Sequence, residues 1–319
     1  MPKAILYPKL SRIILEELEL VPLGKNHIRV RTIATSAAPG VERLLLTGKS
    51  ITRKEFRFPV VTGSELIGEI IECGEDVNEF QNGDYVFLWK TEGYKNSKFP
   101  VITPIFGCQC AEVIASTQNV VKLLRTPKPE DILIGLLAFA ISASEIIPHT
   151  AEQEILILGL GSVGLMMTDY LNHLNLKKID AAEKFINRGS LSKARQIALD
   201  LTDFPESYFG KYDLIIEASG RLLLVEESMK YLKTRGKVLL LGNYDIMKLD
   251  YRLMQEKEPS LILTHIPSKH HYELASTLIG EGIISVERFM TSVLSAYDPE
   301  NSLEIALNRH TEIKTLITW

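Results

Sequence analysis

The sequence predicts an α/β protein in which a doubly wound parallel sheet is joined to a β-rich domain. Three observations support this fold class. The length of 319 residues corresponds to about two domains. From about residue 154 onward apolar strands alternate with helical stretches, and the part before about residue 122 contains short strands separated by turns.

The parallel sheet is predicted from continuous apolar runs. The residues of Ile155–Leu158 are all aliphatic, which is typical of a parallel strand covered on both faces. Leu214–Ile216 and Val238–Leu241 have the same character, and the helical stretch Leu222–Leu232 lies between them. Strands and helices that alternate in this way form doubly wound sheets.

The β-rich part is predicted from alternating patterns and turn signals. Ile28–Ile33 alternates apolar and polar residues, as a half-buried strand does. Leu66–Cys73 is a second strand candidate, and the turn Gln81–Asp84 leads into a third, Tyr85–Trp89. After Ile262 the chain returns to mixed helices and strands, and we expect this tail to fold back onto the first domain.

Charge and composition exclude several function classes. The net charge is −4 and the pI is about 6.0, so the chain lacks the excess of positive charge that nucleic-acid binding requires. The apolar segment Ile132–Ile147, which follows a helix-start signal at Pro129, is too short for a bilayer and is predicted to be a buried helix. The chain has three cysteines, an odd number that cannot all pair in disulfide bonds. The segment Met1–Tyr7 does not have the features of a signal peptide. We expect a cytoplasmic protein that binds neither nucleic acid nor membrane.

A glycine turn, Gly-Leu-Gly-Ser-Val-Gly at Gly159–Gly164, is the strongest functional signal. Gly159 ends an apolar strand, where a tight turn requires a residue without a Cβ. Gly161 lets the backbone approach a pyrophosphate, and Gly164 allows close packing of helix on strand. The N-terminus of the following helix, at Ser162 and Val163, directs N–H groups at phosphates. The turn therefore predicts a dinucleotide site.

The acidic residue Glu183 lies about 20 residues beyond the turn, where the second strand should end, and is placed to bind the adenosine ribose. A carboxylate bonded to a ribose hydroxyl gains roughly 1.5–3 kcal/mol, whereas a 2′-phosphate there would meet a like charge. We therefore predict NAD as the cofactor. NADP remains an alternative, because Lys184 and Arg188 would neutralise a phosphate if Glu183 turned away.

Several segments form a recognisable series by their order and spacing: Pro59–Glu65, Gly83–Val86, Ala111–Val113, the glycine turn, Glu217–Gly220, Gly236–Val238 and Leu241–Gly242. In these segments the chain resembles the medium-chain dehydrogenase/reductase superfamily, over nearly its whole length. The resemblance implies a GroES-like substrate domain at residues 1–123 and 263–319 and a Rossmann domain at residues 124–262. The cofactor-binding residues predicted in this way are Gly159, Gly161, Ser162, Val163, Gly164, Glu183, Ser219, Gly220 and Gly242.

Many members of this superfamily are zinc alcohol dehydrogenases, and this chain departs from their first metal motif. Their Cys-Gly-Thr-Asp stretch is similar to Pro39–Glu42. Pro39 replaces the metal cysteine, Val41 the hydroxyl of the proton relay and Leu44 the histidine of the relay. This motif therefore has no zinc ligand at the cysteine position.

The other metal positions are also altered. The Gly-His-Glu motif reads Gly63–Glu65, with Ser64 in place of the histidine, and the third ligand falls near Ala138–Ala140, which has no metal-binding side chain. Zinc needs three or four nitrogen, sulfur or carboxylate ligands, so Glu65 alone cannot hold it. The four-cysteine structural lobe is reduced to the two sulfurs of Cys108–Cys110. We predict no zinc at either site.

A closer resemblance is to the zinc-lacking bacteriochlorophyllide a dehydrogenase branch. It rests on Gly40–Leu45, Leu241–Tyr244 and the terminal Ile317–Trp319. The likeness is local, so the pigment substrate is not transferred. It implies a metal-free enzyme that acts on a small secondary alcohol or ketone.

Without a metal, hydrogen-bond donors must stabilise the developing oxyanion. Ser64, at the position of the lost histidine, is the first candidate, although backbone groups nearby would also satisfy its hydroxyl. Glu65 is a candidate acid or base, the alternative being a structural ion pair. Glu42 and Ser36 are predicted to line the same site as Ser64 and Glu65. An apolar substrate pocket is predicted from the aromatic residues Trp89, Tyr94 and Phe99, the alternative being that aromatic residues at strand ends belong to the core.

Histidines have weaker claims to catalysis. His149 precedes the first strand of the parallel sheet, and His270 and His271 begin a predicted helix and are expected to face solvent. Ser142 and Ser144 interrupt an apolar helix, where bonding to the preceding turn is the simpler expectation.

The leading hypothesis is a zinc-independent, NAD(P)-dependent oxidoreductase of the medium-chain type. Two alternatives stay open: an enone or quinone reductase of the same superfamily, and a non-catalytic dinucleotide-binding scaffold. The superfamily resemblance also implies a homodimer formed through the edge of the parallel sheet, near Val238–Asp245.

Overall fold

The computed structural model describes residues 1–49, 57–99, 101–147, 150–198, 201, 204–244, 246–264 and 266–319. The chain forms two compact units: one contains Met1–Gly135 together with Lys269–Trp319, and the other contains Leu136–Ser268. We call them the N/C unit and the central unit. In the described part of the chain, no helix is both long enough and apolar enough to cross a membrane.

The elements are numbered in chain order. The strands are β1 (Lys3–Lys9), β2 (Arg12–Glu17), β3 (Glu19–Leu20), β4 (His27–Thr35), β5 (Val60–Val61), β6 (Leu66–Cys73), β7 (Tyr85–Leu88), β8 (Tyr94–Lys95), β9 (Thr103–Pro104), β10 (Glu112–Ser116), β11 (Val120–Lys122), β12 (Ile155–Leu158), β13 (Ile179–Ala182), β14 (Arg195–Ala198), β15 (Tyr212–Glu217), β16 (Leu232–Leu240), β17 (Ser260–Leu263), β18 (Met290–Ser295) and β19 (Lys314–Thr318). The α-helices are α1 (Pro39–Leu46), α2 (Ile134–Glu145), α3 (Ser162–His173), α4 (Ile186–Gly189), α5 (Leu222–Ser228), α6 (Tyr251–Lys257), α7 (Lys269–Gly280) and α8 (Pro299–Asn308).

The central unit is built on a parallel sheet with the strand order β14-β13-β12-β15-β16-β17. The chain starts in the middle of the sheet at β12 and winds outward in both directions, so the order reverses beside β12. Ligands of doubly wound folds bind at such a switch point. Every residue of Ile155–Leu158 is fully buried, which explains the continuous apolar run. The predicted doubly wound sheet is confirmed.

Element boundaries in the central unit differ at one predicted helix. The stretch predicted as helix over Leu222–Leu232 ends earlier: α5 stops at Ser228, a 3-10 turn covers Met229–Tyr231, and Leu232 begins β16. Leu232 is fully buried and pairs with Tyr212 of β15. Pairing in the sheet therefore overrides the helical pattern at the end of this segment.

The N/C unit contains a mainly antiparallel sheet with the order β11-β7-β6-β4-β19-β18, and β10 also pairs with β4. A second sheet has the order β2-β1-β5-β9. Thr35, at the end of β4, pairs with Leu66 of β6 on one side and with Ile317 of β19 on the other. Three distant chain segments therefore meet at the end of β4, where the candidate residues Ser36 and Glu65 lie.

Hydrogen bonds and an ion pair of Asp131 stabilise the segment that precedes α2. The predicted helix start at Pro129 is a 3-10 turn over Pro129–Leu133, and α2 follows it directly. The Asp131 carboxylate accepts a hydrogen bond from the Lys128 N–H at 2.7 Å and binds both terminal nitrogens of Arg125. Apolar cores surround the main sheet, with members such as Ile28, Ile70 and Val86.

The location predicted for a dimer contact is wrong. Val238–Asp245 was expected at the sheet edge, but β16 is an interior strand with β15 on one side and β17 on the other. Asp245 lies outside the described residues. Ser260–Leu263 forms the edge strand at this end of the sheet.

Candidate functional site

The glycine turn after β12 requires glycine at two positions because of the backbone. Gly159 has a φ of +90°, and a Cβ there would also press on Ser219. A Cβ on Gly164 would overlap the carbonyl oxygen of Gly159. These two residues let helix α3 start directly against the end of the strand.

Gly161 has a different role. It is the N-cap of α3, no side chain caps the helix there, and a Cβ at Gly161 would meet only Arg188 Nη1, at 3.9 Å. Packing within the unit therefore leaves open space in front of this residue. The first N–H groups of α3, at Ser162 and Val163, have no partner within the helix, and this end of the helix attracts anions. The geometry fits a pyrophosphate.

The acidic residue Glu183 lies beside the turn. It directly follows β13 and is only 4% exposed. Its carboxylate accepts hydrogen bonds from the N–H of Leu160, within the turn, and from the N–H of Phe185 at 2.9 Å. The side chains of Lys184 and Arg188 both lie over the ring of Phe185, at 6.0 and 5.1 Å from its centroid. An acid and two cations therefore lie at one end of the glycine turn.

A second turn lies against the first, at the end of β15. The carboxylate of Glu217, which is fully buried, accepts hydrogen bonds from the N–H and the hydroxyl of Ser219 and from the N–H of Gly220. Burial raises the pKa of Glu217. A Cβ on Gly242, after β16, would lie 2.8 Å from Gly220 Cα. The structure therefore brings the predicted cofactor-binding residues together at the carboxyl ends of β12, β13, β15 and β16.

In the N/C unit, the candidate Glu65 is part of a buried ion pair. It is 5% exposed, and its Oε2 accepts hydrogen bonds from the hydroxyl of Ser36 and from the ammonium of Lys314. Ser36 is fully buried and Lys314 is 4% exposed. The contacts satisfy one oxygen of Glu65 in the way that a structural ion pair does.

Lys314 was missed by sequence analysis. It is the first residue of β19, whose pairing with β4 brings it to Glu65 from 249 positions away in the chain. The local sequence gave one weak sign of this contact, a charged side chain at the start of an otherwise apolar and threonine-containing strand.

The hydroxyl of Ser64 makes no hydrogen bond to the described part of the chain, although the residue is half-buried. The alternative, a hydrogen bond from the Ser64 hydroxyl to nearby backbone, is therefore not observed. Ser64 lies between β5 and β6, directly before the paired Glu65. It is available to donate to another molecule.

The side chain of Glu42 is buried in the core and does not line an open pocket. Glu42 is 1% exposed; its Oε2 accepts a hydrogen bond from the Tyr7 hydroxyl at 2.8 Å, and its Oε1 accepts one from Gln109 Nε2 at 3.3 Å. Burial raises the pKa of Glu42 to about 7. The position of Glu42 in α1 turns its side chain into the core, against Tyr7 of β1, and its catalytic role stays a prediction.

Of the three aromatic residues expected to line one pocket, two pack in the core. The hydroxyl of Tyr94 donates to the carbonyl of Gly107, and both Tyr94 and Phe99 pack in the core of the N/C unit. Trp89 instead stacks on Tyr272 of α7, with ring centroids 3.8 Å apart and an angle of 4°. Tyr272 was not selected from the sequence.

The histidines and serines follow the expectations only in part. His270 is exposed, but His271 is 7% exposed, because the buried face of α7 includes it. His149 lies outside the described residues. Ser144 donates to the Ile141 carbonyl at 2.8 Å, which is the predicted bond to the preceding turn.

The side chains at the metal positions do not fit a zinc ion. Pro39 and Ala138–Ala140 offer no donor atoms, Ser64 offers only a neutral hydroxyl, and Glu65 already binds Lys314. Within the described ranges, no group of three or more His, Cys, Asp or Glu side chains is arranged to hold a metal. Zinc requires such a donor set.

Comparison with known proteins agrees with this fold. Residues 24–125 match the alcohol dehydrogenase GroES-like domain. The chain is 22% identical over 306 residues to 2-desacetyl-2-hydroxyethyl bacteriochlorophyllide A dehydrogenase from Cereibacter sphaeroides, covering 96% of this chain and 94% of that protein. It is 26% identical over 232 residues to D-arabinitol dehydrogenase 1 from Uromyces fabae; that match covers 62% of this chain and 65% of the relative, just under two thirds of its length.

Among solved structures, a short chain alcohol dehydrogenase from Escherichia coli complexed with NADH superposes with a TM-score of 0.84 at 17% identity, covering 100% of this chain and 99% of that one. The fold is therefore that of the alcohol dehydrogenases, and residues 24–125 match their GroES-like domain. The predicted resemblance to the medium-chain dehydrogenase/reductase superfamily is confirmed.

Proposed function

We propose that this protein is a zinc-independent oxidoreductase that transfers hydride between a nicotinamide dinucleotide and a small secondary alcohol or ketone. The observation that carries the proposal is the open space before Gly161 at the uncapped start of α3. Packing does not require glycine at this position. A pyrophosphate does, because it needs close approach to backbone N–H groups.

The cofactor is held by the groups at the carboxyl edge of the parallel sheet. The N–H groups of Ser162 and Val163 donate to the pyrophosphate, and Glu183 accepts hydrogen bonds from the adenosine ribose. The turn Ser219–Gly220 and Gly242 form the adjoining edge. The bound nicotinamide supplies or accepts the hydride. This arrangement uses backbone groups for the phosphates and one carboxylate for the sugar.

NAD is the preferred cofactor in this proposal. The carboxylate of Glu183 repels the 2′-phosphate of NADP and accepts hydrogen bonds from the free hydroxyls of NAD. Lys184 and Arg188, which flank Phe185 beside the turn, reduce that repulsion. We therefore expect NADPH to bind more weakly than NADH but measurably.

The substrate class is supported by the names of the relatives. The name of the Cereibacter sphaeroides relative includes a hydroxyethyl group, and that of the Uromyces fabae relative includes the polyol D-arabinitol. Both names therefore refer to molecules with alcohol groups. In this chain the hydroxyl of Ser64 donates to the substrate oxygen, and a donor aimed at the developing oxyanion lowers the barrier. Glu65, paired with Lys314, positions the loop that carries Ser64.

Two further parts of the proposal concern organisation. Residues 1–123 and 263–319 form the substrate domain and residues 124–262 the cofactor domain. A homodimer forms through the exposed edge strand β17, Ser260–Leu263. Size-exclusion chromatography with light scattering of the wild type and of Ile262→Asp tests the second point, since a charge on the edge strand should release monomers.

Calorimetric titration of the metal-stripped protein with NADH and, separately, NADPH tests the main proposal. We expect saturable NADH binding that is lost in Gly161→Asp, because a carboxylate there fills the open space and repels the pyrophosphate. Gly93→Asp is the matched control, since Gly93 also has room for a Cβ, at 3.6 Å from its nearest neighbour. Absence of binding to both dinucleotides would contradict the proposal, and loss of binding on metal removal would contradict zinc independence.

A further inference from the structure

The hydroxyl of Tyr244 lies on the backbone just beyond the carboxyl end of β16, beside two of the predicted cofactor residues. A Cβ built on Gly242 would lie 2.6 Å from both the Cζ atom and the hydroxyl oxygen of Tyr244, and 2.8 Å from Gly220 Cα. The tip of the tyrosine, Gly242 and Gly220 therefore meet at one point. Tyr244 itself lies between β16 and α6, outside any helix or strand. All three residues belong to the central unit.

This hydroxyl is buried and has no hydrogen-bond partner among the described residues. The residue as a whole is half-buried, and its ring packs against the core that contains Leu158 and Leu240. In the same unit, Tyr212 and Tyr231 donate to a carboxylate and to a carbonyl. A buried hydroxyl without a partner costs free energy. The free protein therefore holds Tyr244 in an arrangement that a bound hydrogen-bond partner would improve.

The strand order indicates which part of a dinucleotide reaches this point. In the sheet, β13 lies on one side of β12, and β15 followed by β16 lies on the other. Glu183, after β13, is proposed to bind the adenosine ribose, and the glycine turn after β12 is proposed to bind the pyrophosphate. A dinucleotide that crosses the switch point in this order brings its second ribose, which carries the nicotinamide, to the ends of β15 and β16. Gly220 and Gly242 follow those two strands.

The backbone around the Tyr244 hydroxyl is open to solvent, although the hydroxyl itself is covered. Gly220 and Asn243 are exposed, and Gly242 is half-buried. A ligand can approach this backbone directly, but it reaches the Tyr244 oxygen only after the side chain turns away from Gly242. A tyrosine side chain turns about only two bonds, so ordering it in a new position costs little conformational entropy.

We propose that Tyr244 is a cofactor-binding residue whose hydroxyl leaves Gly242 when the dinucleotide binds and then donates a hydrogen bond to a hydroxyl of the nicotinamide ribose. This inference rests on the proposed function. The movement gives the phenol the partner that it lacks in the free protein, and it clears the space beside Gly242 and Gly220. Removal of the hydroxyl should therefore have two opposite effects. The free protein becomes more stable because the unpaired group is gone, and the complex becomes weaker because its hydrogen bond is lost.

The test compares the wild type, Tyr244→Phe and Tyr251→Phe by scanning calorimetry without ligand and by calorimetric titration with NADH and, separately, with ADP. ADP carries the adenosine ribose and the diphosphate but has no second ribose. Phenylalanine keeps the ring that packs on the core, and the 74% exposed Tyr251 of the same unit is the matched control. We expect Tyr244→Phe to melt about 2 °C higher than the wild type, to bind NADH about ten-fold more weakly and to bind ADP equally well. Tyr251→Phe should match the wild type in all three measurements.

The outcomes separate this inference from the proposed function. Equal NADH affinity in the wild type and Tyr244→Phe would overturn the role of Tyr244 and leave the oxidoreductase proposal standing. Equal weakening of NADH and ADP binding would also overturn it, because the lost contact would then not involve the second ribose. A lower melting temperature of Tyr244→Phe would show that the hydroxyl already stabilises the free protein, which contradicts the inference. Failure of the wild type to bind NADH would overturn both proposals.

Discussion

Removing the charge of Glu42 should change how the stability of the protein depends on pH. Glu42 is 1% exposed, and burial is the largest cause that raises its pKa from 4.5 to about 7, against the opposing hydrogen bond from Tyr7. Gln109 Oε1 has no partner among the described residues, and rotation of the Gln109 amide would let it accept the proton of a neutral Glu42. The folded protein therefore favours the protonated form of Glu42.

The sign and size of the effect follow from linkage. Between pH 4.5 and pH 7 the folded state keeps the proton of Glu42 and the unfolded state has lost it. Stability is therefore fully present below pH 4.5 and falls as the pH rises towards 7. A difference of this size in pKa corresponds to about 3 kcal/mol. The direction is opposite to that of a salt-bridged carboxylate, whose contribution is lost on acidification.

Urea unfolding at pH 5, 6, 7 and 8 measures the effect. We expect the free energy of unfolding of the wild type to fall by about 2.5 kcal/mol more than that of Glu42→Gln across this range, which begins above pH 4.5 and so spans only part of the full effect, because glutamine preserves the shape but does not ionise. Glu75→Gln, at a residue whose side chain is 78% exposed, is the matched control and should follow the wild type. Equal slopes for Glu42→Gln and the wild type would refute the assignment of the raised pKa to Glu42.

Two further predictions concern packing and charge. Lys314→Met leaves Glu65 buried without its cation and should cost about 3–5 kcal/mol in the free energy of unfolding; chemical denaturation checks this, and the double variant Glu65→Gln/Lys314→Met should recover part of the loss, so an additive double variant would count against the pair. Gly164→Ala forces a Cβ against the Gly159 carbonyl oxygen and should lower both the melting temperature and NADH affinity, measured by calorimetry. An unchanged melting temperature would show that the turn has more room than its geometry indicates.

The geometry of the glycine turn was predictable because its signals are local. A tight turn, a helix start and a strand end each depend on residues close in sequence, so Gly159, Gly161 and Gly164 identify themselves by spacing. Glu183 also follows from distance along the chain, since one helix and one strand separate it from the turn. The strands Leu66–Cys73 and Ile155–Leu158 were predicted with the observed bounds for the same reason.

The catalytic half was not predictable in this way. Glu42 was expected beside the substrate, but the orientation of α1 against β1 encloses it with Tyr7. The stacking of Tyr272 on Trp89 becomes visible only when α7 is in place. Which polar group is buried, paired or left free is a property of several elements together.

The sequence by itself determined the alternation of strands and helices, the glycine turn and the residue types at the superfamily's metal positions, because each depends on residue type and short-range spacing. Only the tertiary structure decided that Lys314 neutralises Glu65. That contact joins residues 249 positions apart and depends on the pairing of β19 with β4. Burial makes the ion pair necessary, since an isolated carboxylate in a low-dielectric interior is costly. The residues near Glu65 in the sequence do not indicate which distant residue will be its partner.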